Sequence, residues 1–256
     1  MSTLPLEGRV AVVTGAARGL GFAMAKALAQ RGADVALLDV LDRVGDSAAR
    51  LREETGRRSV GIHADVTDEV SIRSALAEAE RALGVTSVLV NSAGVSLGTP
   101  ALETTTSDWQ RIMDINLTGT FICCREFARL AVDNHSLASI VNVSSMSGFI
   151  VNVPQTQAVY NTSKAAVAML TKSLAVEWLP LGVRVNAIAP GYFASDMTRD
   201  FATEQPAMRD EWLARTPIGR MGEPEELGDL VAYLACDGSG YVVGQTIVID
   251  GGYTLV

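Results

Sequence analysis

The stretch Arg9–Gly21, RVAVVTGAARGLG, decides the fold prediction for this chain. Its first part, Arg9–Thr14, is apolar and β-branched, which is typical of a buried strand. The strand runs directly into a turn that carries Gly15, Gly19 and Gly21 and opens a helix. Glycine there lets the backbone approach a phosphate, which the positive end of the helix stabilises. The stretch therefore predicts a nucleotide-binding turn in a parallel α/β sheet.

The alternation of strand and helix continues to the end of the chain. β-Branched apolar runs predict seven strands, at Arg9–Thr14, Asp34–Asp39, Ser59–His63, Val88–Asn91, Ser139–Val143, Arg184–Ala189 and Thr246–Asp250. Helical periodicity occurs at about 19–31, 43–56, 68–83, 107–132, 159–180 and 223–236. This order predicts one α/β domain over residues 1–256, a Rossmann fold with a seven-stranded parallel sheet and helices on both faces.

The stretch 191–222 interrupts this alternation, with Pro206, Pro217, Gly219 and Gly222 around a short amphipathic piece. Long irregular insertions after the carboxyl end of a strand are typical of ligand-binding loops in open α/β sheets. We expect a substrate-binding flap here, and a surface excursion without function is the alternative.

Composition excludes several classes of partner. The chain has 256 residues, 48% of them hydrophobic, which suffices for a substantial core. Lys and Arg number 21 against 29 for Asp and Glu, and a net charge of -8 repels nucleic acid and anionic membranes. Neither a membrane-spanning run nor a signal-peptide pattern is present in the sequence. We expect a soluble cytoplasmic protein without a nucleic-acid or membrane partner.

Cysteine and histidine usage points away from metal chemistry. Cys123 and Cys124 are adjacent in an apolar helical stretch, which predicts buried thiols in a reducing compartment. The two histidines, His63 and His135, have no carboxylate or cysteine set around them at metal-ligand spacing. The sequence predicts no metal site.

Asp39 ends the second predicted strand, where a carboxylate can accept hydrogen bonds from a ribose 2′-hydroxyl. A 2′-phosphate there would be repelled, by roughly 1 kcal/mol in water and about 4 kcal/mol at an effective dielectric of 20. Arg18 favours the opposite choice because a guanidinium pairs with phosphate, but Val40 and Leu41 add no second cation. The sequence predicts NAD as the cofactor, with NADP as the alternative.

Tyr160 and Lys164 are four residues apart at the start of a predicted helix, so both project from one face. A free tyrosine has a pKa of about 10, and an adjacent ammonium lowers the pKa toward a usable proton acceptor. A buried tyrosine beside a solvated lysine is the alternative.

Ser145 lies just past the fifth strand, where its hydroxyl can stabilise a reacting oxygen. Ser144 and Ser147 compete for this role; we assign it to Ser145 and a substrate contact to Ser147.

Over essentially its full length the chain resembles the short-chain dehydrogenase/reductase family. The motifs that carry the resemblance are Thr14–Gly21, Asp65, Asn91-Ser-Ala-Gly94, Asn116, Ser145, Tyr160-x-x-x-Lys164 and Pro190-Gly191. One departure is Asn-Ser-Ala-Gly, where the family usually has Asn-Asn-Ala-Gly. The resemblance implies reversible hydride transfer between a nicotinamide and a carbinol carbon, with Asn116, Ser145, Tyr160 and Lys164 as the catalytic set.

The resemblance also implies where the cofactor is bound. Besides Tyr160 and Lys164, the implied contacts are Gly15, Arg18, Gly19, Leu20, Gly21, Asp39, Asp65, Val66, Asn91, Ala93, Gly94, Pro190, Gly191, Phe193 and Ser195. Asp65 and Val66 would meet the adenine, and Pro190 to Ser195 the nicotinamide end. Asn116 would distort its helix and hold a water that links Lys164 to solvent; a surface-facing asparagine is the alternative.

The substrate is predicted from the loop after the catalytic serine. Ser147–Gln155 offers a hydroxyl and two amides, and we assign substrate contacts to Ser147, Asn152 and Tyr192. The loop resembles those of polyol dehydrogenases and sugar-ketose reductases. Trp212, Met197 and Phe149 favour the alternative of a hydrophobic secondary alcohol. A 3-oxoacyl-carrier-protein reductase and a nucleotide-binding protein without catalysis are the remaining alternatives.

The helix at 159–180 is apolar nearly all round, although a helix on a sheet needs only one apolar stripe. A second subunit is the simplest cover for the other side. We expect a homo-oligomer, and the family resemblance implies a tetramer.

Overall fold

The computed structural model describes residues 4–195 and 205–256. Seven strands form one parallel sheet in the order β3-β2-β1-β4-β5-β6-β7. The strands are β1 (Val10–Thr14), β2 (Asp34–Asp39), β3 (Ser59–His63), β4 (Val88–Asn91), β5 (Ala138–Val143), β6 (Val183–Pro190) and β7 (Thr246–Ile249). The predicted seven-stranded parallel Rossmann sheet is confirmed.

The α-helices of the described residues follow the predicted segments closely. They are α1 (Gly19–Gln30), α2 (Val44–Thr55), α3 (Glu69–Leu83), α4 (Thr106–Met113), α5 (Gly119–Asp133), α6 (Ala158–Trp178), α7 (Pro206–Ala214) and α8 (Pro224–Ala235). Helix α7 is the amphipathic piece expected in the flap at 191–222. The rest of that prediction falls partly on residues 196–204, which lie outside the described residues together with Met197.

Both faces of the sheet are covered, as the strand pattern predicts. On one face Val35 and Leu37 of β2 pack with Leu28 of α1 and with Leu227 and Val231 of α8. The opposite face holds a second apolar cluster, to which α3, α5 and α6 contribute Ile72, Phe127 and Leu174. Burial of both faces explains why the central strands are apolar at successive positions rather than at alternate ones.

The predicted helix at 107–132 is interrupted rather than continuous. Between α4 and α5 lies a single π-helical turn, Asp114–Thr118, in which the Gly119 amide donates to the Asp114 carbonyl. Such one-turn bulges occur inside helices at functional sites more often than elsewhere. Asn116 lies in the middle of this turn, fully buried. The implied distortion of the helix at Asn116 is present, and the alternative of a surface-facing asparagine is wrong.

Among residues 4–195 and 205–256, no helix is both long and apolar enough to cross a bilayer.

Candidate active site

The strand order reverses between β1 and β4, and open α/β sheets bind ligands at the carboxyl ends of the strands beside such a reversal. Thr14, the last residue of β1, ties the two strand ends together. Its Oγ1 accepts hydrogen bonds from the amides of Ser92 and Ala93, both over 3.1 Å. The motif after β4 is thereby fixed against the glycine-rich turn after β1.

Glycine is required at two positions of that turn by close backbone contacts. A Cβ on Gly15 would lie 2.7 Å from the Ala93 Cα, and the φ of Gly15 is +65°. A Cβ on Gly21 would lie 2.1 Å from the Gly15 carbonyl oxygen. Gly19 differs, since no atom lies within 4 Å of its Cβ position and only its φ of +58° favours glycine. Glycine at 15 and 21 therefore lets the turn pack tightly on itself and on the motif after β4.

Asp39 stabilises the glycine-rich turn by accepting backbone hydrogen bonds. Its Oδ2 accepts a hydrogen bond from the Ala17 amide over 2.9 Å and its Oδ1 from the Leu41 amide over 3.1 Å. Ser47 of α2 donates to the Ala17 carbonyl over 2.7 Å. The carboxylate is buried at the end of β2, so its negative charge sits directly behind the glycine-rich turn.

A cleft of about 510 Å³ opens beside this turn. Its lining includes four cationic side chains, Arg18, Lys26, Arg43 and Arg50, together with the acidic Asp46, Glu223 and Glu225. Lys26 is engaged by Glu54 over 2.6 Å, and the Arg50 guanidinium lies 3.9 Å from the centre of the Phe22 ring. Val40 and Leu41 add no cation, as expected, but Arg43, just before α2, lines the same cleft as Arg18 and supplies a second one.

The other cofactor-side predictions fall in different environments. Asp65 is exposed and its Oδ1 accepts from the Thr67 amide and hydroxyl, at 2.9 and 2.7 Å. Val66 is buried. Ser195 lines the cleft, while Phe193 packs in the core beside Gly222.

At the end of β6 the chain leaves no room for a side chain. Gly191 follows Pro190, and a Cβ on Gly191 would lie 2.7 Å from the Asp250 Cα. Leu20, at the start of α1, is half-buried against the core. These two positions therefore serve local packing and would reach a cofactor mainly through their backbone.

Asn91 turns its side chain into the interior instead of toward the cleft. Its Nδ2 donates to Asn142 Oδ1 over 2.8 Å and to Cys124 Sγ over 3.1 Å. Asn142 in turn donates to Thr171 of α6 over 3.0 Å. Burial raises the pKa of the Cys124 thiol to about 12, which keeps it protonated. This network, which sequence reasoning missed, ties the ends of β4 and β5 to the helix that carries Tyr160.

The predicted catalytic side chains meet at the carboxyl ends of β4 and β5. The Lys164 ammonium donates to the Val143 carbonyl over 2.8 Å and lies 5.7 Å from the centre of the Tyr160 ring. Tyr160 makes a side-chain hydrogen bond with Ser145. A Cβ on Gly94 would lie 3.4 Å from Lys164 Nζ, so the motif after β4 borders the same space.

The three serines after β5 have separate partners. Ser144 donates to the Lys164 carbonyl over 2.7 Å, which anchors α6 to β5 and commits that hydroxyl. Ser145 Oγ accepts from the Ser147 amide over 3.1 Å, so its own proton is directed elsewhere. Ser147 Oγ accepts from Gln157 Nε2 over 3.3 Å, just before α6 begins. Contact with Tyr160 therefore distinguishes Ser145 from its neighbours.

The pKa of Tyr160 differs from the sequence-based expectation. Burial raises it above its ordinary value, and the hydrogen bond with Ser145 opposes that rise. Burial also lowers the pKa of Lys164 to about 8. The expected lowering by the adjacent ammonium is wrong for this chain on its own, because burial outweighs an attraction across 5.7 Å.

Asn116 joins the loop after β4 to α6. Its Oδ1 accepts from the Val95 amide over 2.8 Å, and its Nδ2 donates to the Val95 carbonyl over 2.9 Å and to Ser163 over 3.0 Å. A Cβ on Gly94 would lie 3.3 Å from Asn116 Oδ1. The π-turn thus places a fully bonded amide next to the Lys164 ammonium.

Aromatic and amide side chains join the segment after β6 to α7 and to the loop before α6. Tyr192, directly after β6, stacks on Trp212 of α7 with ring centres 4.1 Å apart and planes 9° apart. Tyr253 meets Tyr192 edge-on at 5.5 Å. Asn152 Nδ2 donates to the Tyr192 hydroxyl over 3.2 Å, and that hydroxyl donates to Gln155 over 2.6 Å. The predicted pair Asn152 and Tyr192 is in direct contact.

The part of the chain that the structure describes contains no cluster of three or more His, Cys, Asp or Glu side chains able to hold a metal ion.

Comparison with known proteins matches residues 15–254 to the family model described as enoyl-(acyl carrier protein) reductase. The chain is 43% identical to galactitol 2-dehydrogenase (L-tagatose-forming) of Cereibacter sphaeroides, covering 98% of this chain and 96% of that protein. It is 41% identical to a sorbose reductase of Candida albicans, over 97% and 88% of the two chains. A solved gluconate 5-dehydrogenase from Burkholderia cenocepacia, in complex with NADP and tartrate, is 33% identical with a TM-score of 0.92, over 99% and 98%.

Proposed function

The chain belongs to the short-chain dehydrogenase/reductase family, and from that premise we propose that it oxidises a secondary hydroxyl of a four- to six-carbon polyol, or reduces the corresponding ketose, with NAD as the preferred cofactor. One observation carries the proposal. The segment between β5 and α6 carries both Ser145, which bonds to Tyr160, and Asn152, which is buried yet keeps an unpaired carbonyl oxygen.

The glycine-rich turn fits a nicotinamide dinucleotide. Ala17, Arg18 and Gly19 line the cleft, so the backbone at the start of α1 faces the space where a phosphate would bind. The cleft beside it is basic enough for phosphate and carries Asp39 behind the turn. Gly15, Arg18, Gly19, Leu20 and Gly21 would hold the pyrophosphate, Asp39 the adenosine ribose, and Asp65 with Val66 the adenine.

The far end of the dinucleotide would meet the rest of the carboxyl edge. Asn91, Ala93 and Gly94 would contact its second ribose, and Pro190, Gly191, Phe193 and Ser195 the nicotinamide. When bound, the nicotinamide supplies a carbon that accepts or returns the hydride of the carbinol carbon.

The chain's own groups orient the substrate and move its proton. Tyr160 takes the hydroxyl proton during oxidation and returns it during reduction. Ser145 has its oxygen lone pair engaged by the Ser147 amide, so its proton is available to the reacting oxygen. Lys164, held by the Val143 carbonyl, favours the phenolate of Tyr160, and Asn116 fixes the loop that borders the ammonium.

The preference for NAD follows from a balance of charges. Asp39 lies behind the turn and opposes a 2′-phosphate, whereas Arg18 and Arg43 attract one. We expect a modest preference, with Asp39→Ala shifting the ratio of kcat/KM toward NADP and Arg43→Ala shifting it toward NAD. Steady-state kinetics with both cofactors measures each ratio. Equal or better use of NADP by the wild type would contradict the preference.

The substrate contacts we propose are Ser147, Asn152 and Tyr192. The two curated relatives described above carry the names of a polyol dehydrogenase and a sugar reductase, which supports a polyhydroxylated substrate for this chain. A pocket that hydrogen-bonds hydroxyls discriminates against analogues that lack them, because its polar groups would then stay unpaired. Stacked aromatic rings favour the hydrophobic secondary alcohol as the second candidate.

The deciding experiment is a dehydrogenase assay with a panel of alcohols. We expect oxidation of galactitol or xylitol, and a loss of that activity in Asn152→Ala that is much smaller for a 1,2-diol. If cyclohexanol or a 3-hydroxyacyl ester is turned over well while no pentitol or hexitol reacts, the polyol assignment is wrong. The alternative of a nucleotide-binding protein without catalysis is wrong, because the chain belongs to a family of oxidoreductases and is 43% identical to a dehydrogenase over 98% of its length.

Two further proposals concern the whole molecule. Met169 and Val176 on α6 are exposed although the opposite side of this helix is buried, which supports a homotetramer that covers them. Light scattering showing about 27 kDa at micromolar concentration would contradict any oligomer.

The adjacent buried thiols of Cys123 and Cys124 support a cytoplasmic location.

A further inference from the structure

Three side chains from the two loops that follow β5 and β6 form a hydrogen-bonded chain. Asn152 and Gln155 lie between β5 and α6, and Tyr192 directly follows β6. The Tyr192 oxygen accepts from Asn152 Nδ2 over 3.2 Å, and its proton is donated to Gln155 Oε1 over 2.6 Å. One phenol therefore engages the donor end of one amide and the acceptor end of the other.

Each hydrogen bond with Tyr192 uses one end of a side-chain amide and leaves the other end free of protein partners within residues 4–195 and 205–256. Asn152 keeps its carbonyl oxygen, which is buried and has no hydrogen-bond partner among the described residues. Gln155, half-buried, keeps its Nε2 donor, with no acceptor in hydrogen-bonding range in the described part of the chain. A buried acceptor without a donor is unfavourable, so this oxygen favours a ligand that donates to it. The pair thus presents one acceptor and one donor.

Aromatic packing holds the phenol in the position that makes both bonds. Trp212 lies parallel to the Tyr192 ring at 4.1 Å, and Tyr253 packs edge-on at 5.5 Å. Trp212 and Tyr253 are themselves buried, with 4% and 5% of their surface exposed. Such ring pairs stabilise their arrangement beyond the apolar area that they bury. The phenol is therefore clamped from α7 and from the C-terminal turn.

We infer that Gln155 is a specificity-determining residue and that Tyr192 is a positioning residue that orients Gln155 and Asn152 to bind two adjacent hydroxyls of the substrate. One hydroxyl of a vicinal diol donates to Asn152 Oδ1, and its neighbour accepts from Gln155 Nε2. A monohydric alcohol satisfies neither group of the pair. This inference rests on the proposed function, since it assumes that the reacting carbon binds beside Tyr160.

The first test removes the amide of Gln155 and keeps a side chain of similar length. In Gln155→Met the side chain can neither donate to a substrate hydroxyl nor accept from Tyr192. We expect the KM for xylitol to rise about tenfold or more, the loss of roughly one strong hydrogen bond, while kcat changes less than threefold. The KM for cyclohexanol should stay unchanged. The matched control is Gln30→Met, the same change at the exposed end of α1.

The second test removes the phenol hydroxyl and keeps the ring. Tyr192→Phe retains the stack with Trp212 and loses both hydrogen bonds, so we expect the same rise in KM for xylitol alone. Tyr241→Phe, at a fully exposed tyrosine, is its control. A ring that only shapes the pocket would raise KM for both alcohols together, and that result overturns the inference.

The remaining outcomes separate this inference from the proposal on which it rests. If the wild type oxidises xylitol and neither variant changes the ratio of KM values for xylitol and cyclohexanol, only the assignment of Gln155 and Tyr192 is wrong. If the wild type oxidises no polyol, both the inference and the polyol assignment are wrong. Thermal unfolding of each variant, measured in parallel, shows whether a raised KM reflects a damaged fold.

Discussion

The two halves of the carboxyl edge are built from different groups. On the β1–α1 side the bonds run to backbone: Thr14 accepts from two amides after β4, and Asp39 accepts from the Ala17 amide of the glycine-rich turn and from the Leu41 amide after β2. The β5–β6 side also has bonds between side chains, such as Asn116 with Ser163 and Asn152 with Tyr192. One half is shaped by the absence of Cβ atoms, the other by particular functional groups.

This difference separates binding from discrimination. Backbone amides and a helix terminus bind phosphate without regard to what the dinucleotide will react with. Side-chain amides and hydroxyls instead present donors and acceptors that single substitutions can exchange. We therefore expect changes on the first half to alter nucleotide affinity and changes on the second to alter turnover and substrate choice. The predictions below test that division.

The largest effect is expected from Tyr160→Phe. The ring still packs against α6, but the proton acceptor is gone, so turnover should fall by about 10²–10⁴-fold or more. Fluorescence titration of the reduced cofactor should show nearly unchanged binding, because the nucleotide half is untouched. If Tyr160→Phe lost both cofactor affinity and turnover, the division between a nucleotide half and a substrate half would be contradicted.

The same residue predicts the pH dependence of the wild type. Burial raises the pKa of Tyr160, so the base form becomes populated only as pH rises. Oxidation measured where chemistry limits the rate should therefore accelerate from neutral toward alkaline pH. A flat profile from pH 6 to 10 would indicate a different base.

A smaller but selective effect is expected from Gly21→Ala on the opposite half. The new Cβ would lie 2.1 Å from the Gly15 carbonyl oxygen, so the turn must move and the phosphate site with it. We expect the dissociation constant for NAD to rise at least about tenfold, which corresponds to 1.4 kcal/mol. Gly45→Ala in α2 is the matched control, because no atom lies within 4 Å of its Cβ position. Equal affinities of the two variants would contradict the backbone argument.

The sequence predicts the nucleotide half better than the substrate half, for a physical reason. Strand bounds such as Asp34–Asp39 and Val88–Asn91 match the structure because burial on both faces leaves continuous apolar runs. The glycine-rich turn is local, so its residues are adjacent in the chain as well as in space. Arg43 was missed because it reaches the cleft through the packing of α2, which no local pattern reports.

On the substrate half the decisive contacts join distant segments. The stack of Tyr192 on Trp212 and the bond from Tyr192 to Gln155 depend on how two loops and α7 fold over β6. The pKa of Tyr160 likewise depends on burial, which the spacing of Tyr160 and Lys164 does not encode. The spacing predicted that Tyr160 and Lys164 lie close together. Only the structure shows how burial changes their pKa values.

The smallest effect is expected on the thermal stability of Lys164→Met. This variant tests how far the buried ammonium of Lys164 lowers the free energy of unfolding. Lys164 is buried, its ammonium donates to one carbonyl, and burial lowers its pKa from 10.5 to about 8. Below pH 8 the ammonium is charged in both states, and its burial destabilises the fold. Between pH 8 and 10.5 the unfolded chain holds a proton that the folded chain has released, so wild-type stability rises with pH across this window. The variant lacks the penalty, and its Tm at pH 7 should exceed that of the wild type by about 2–4 °C for each 1 kcal/mol relieved. Calorimetry at pH 7 and pH 10 should show this gap closing, whereas Lys172→Met, at an exposed lysine of the same helix, should show no gap at either pH. A gap that persists unchanged at pH 10 would mean that the methionine packs better, and that the buried charge is not the source of the difference.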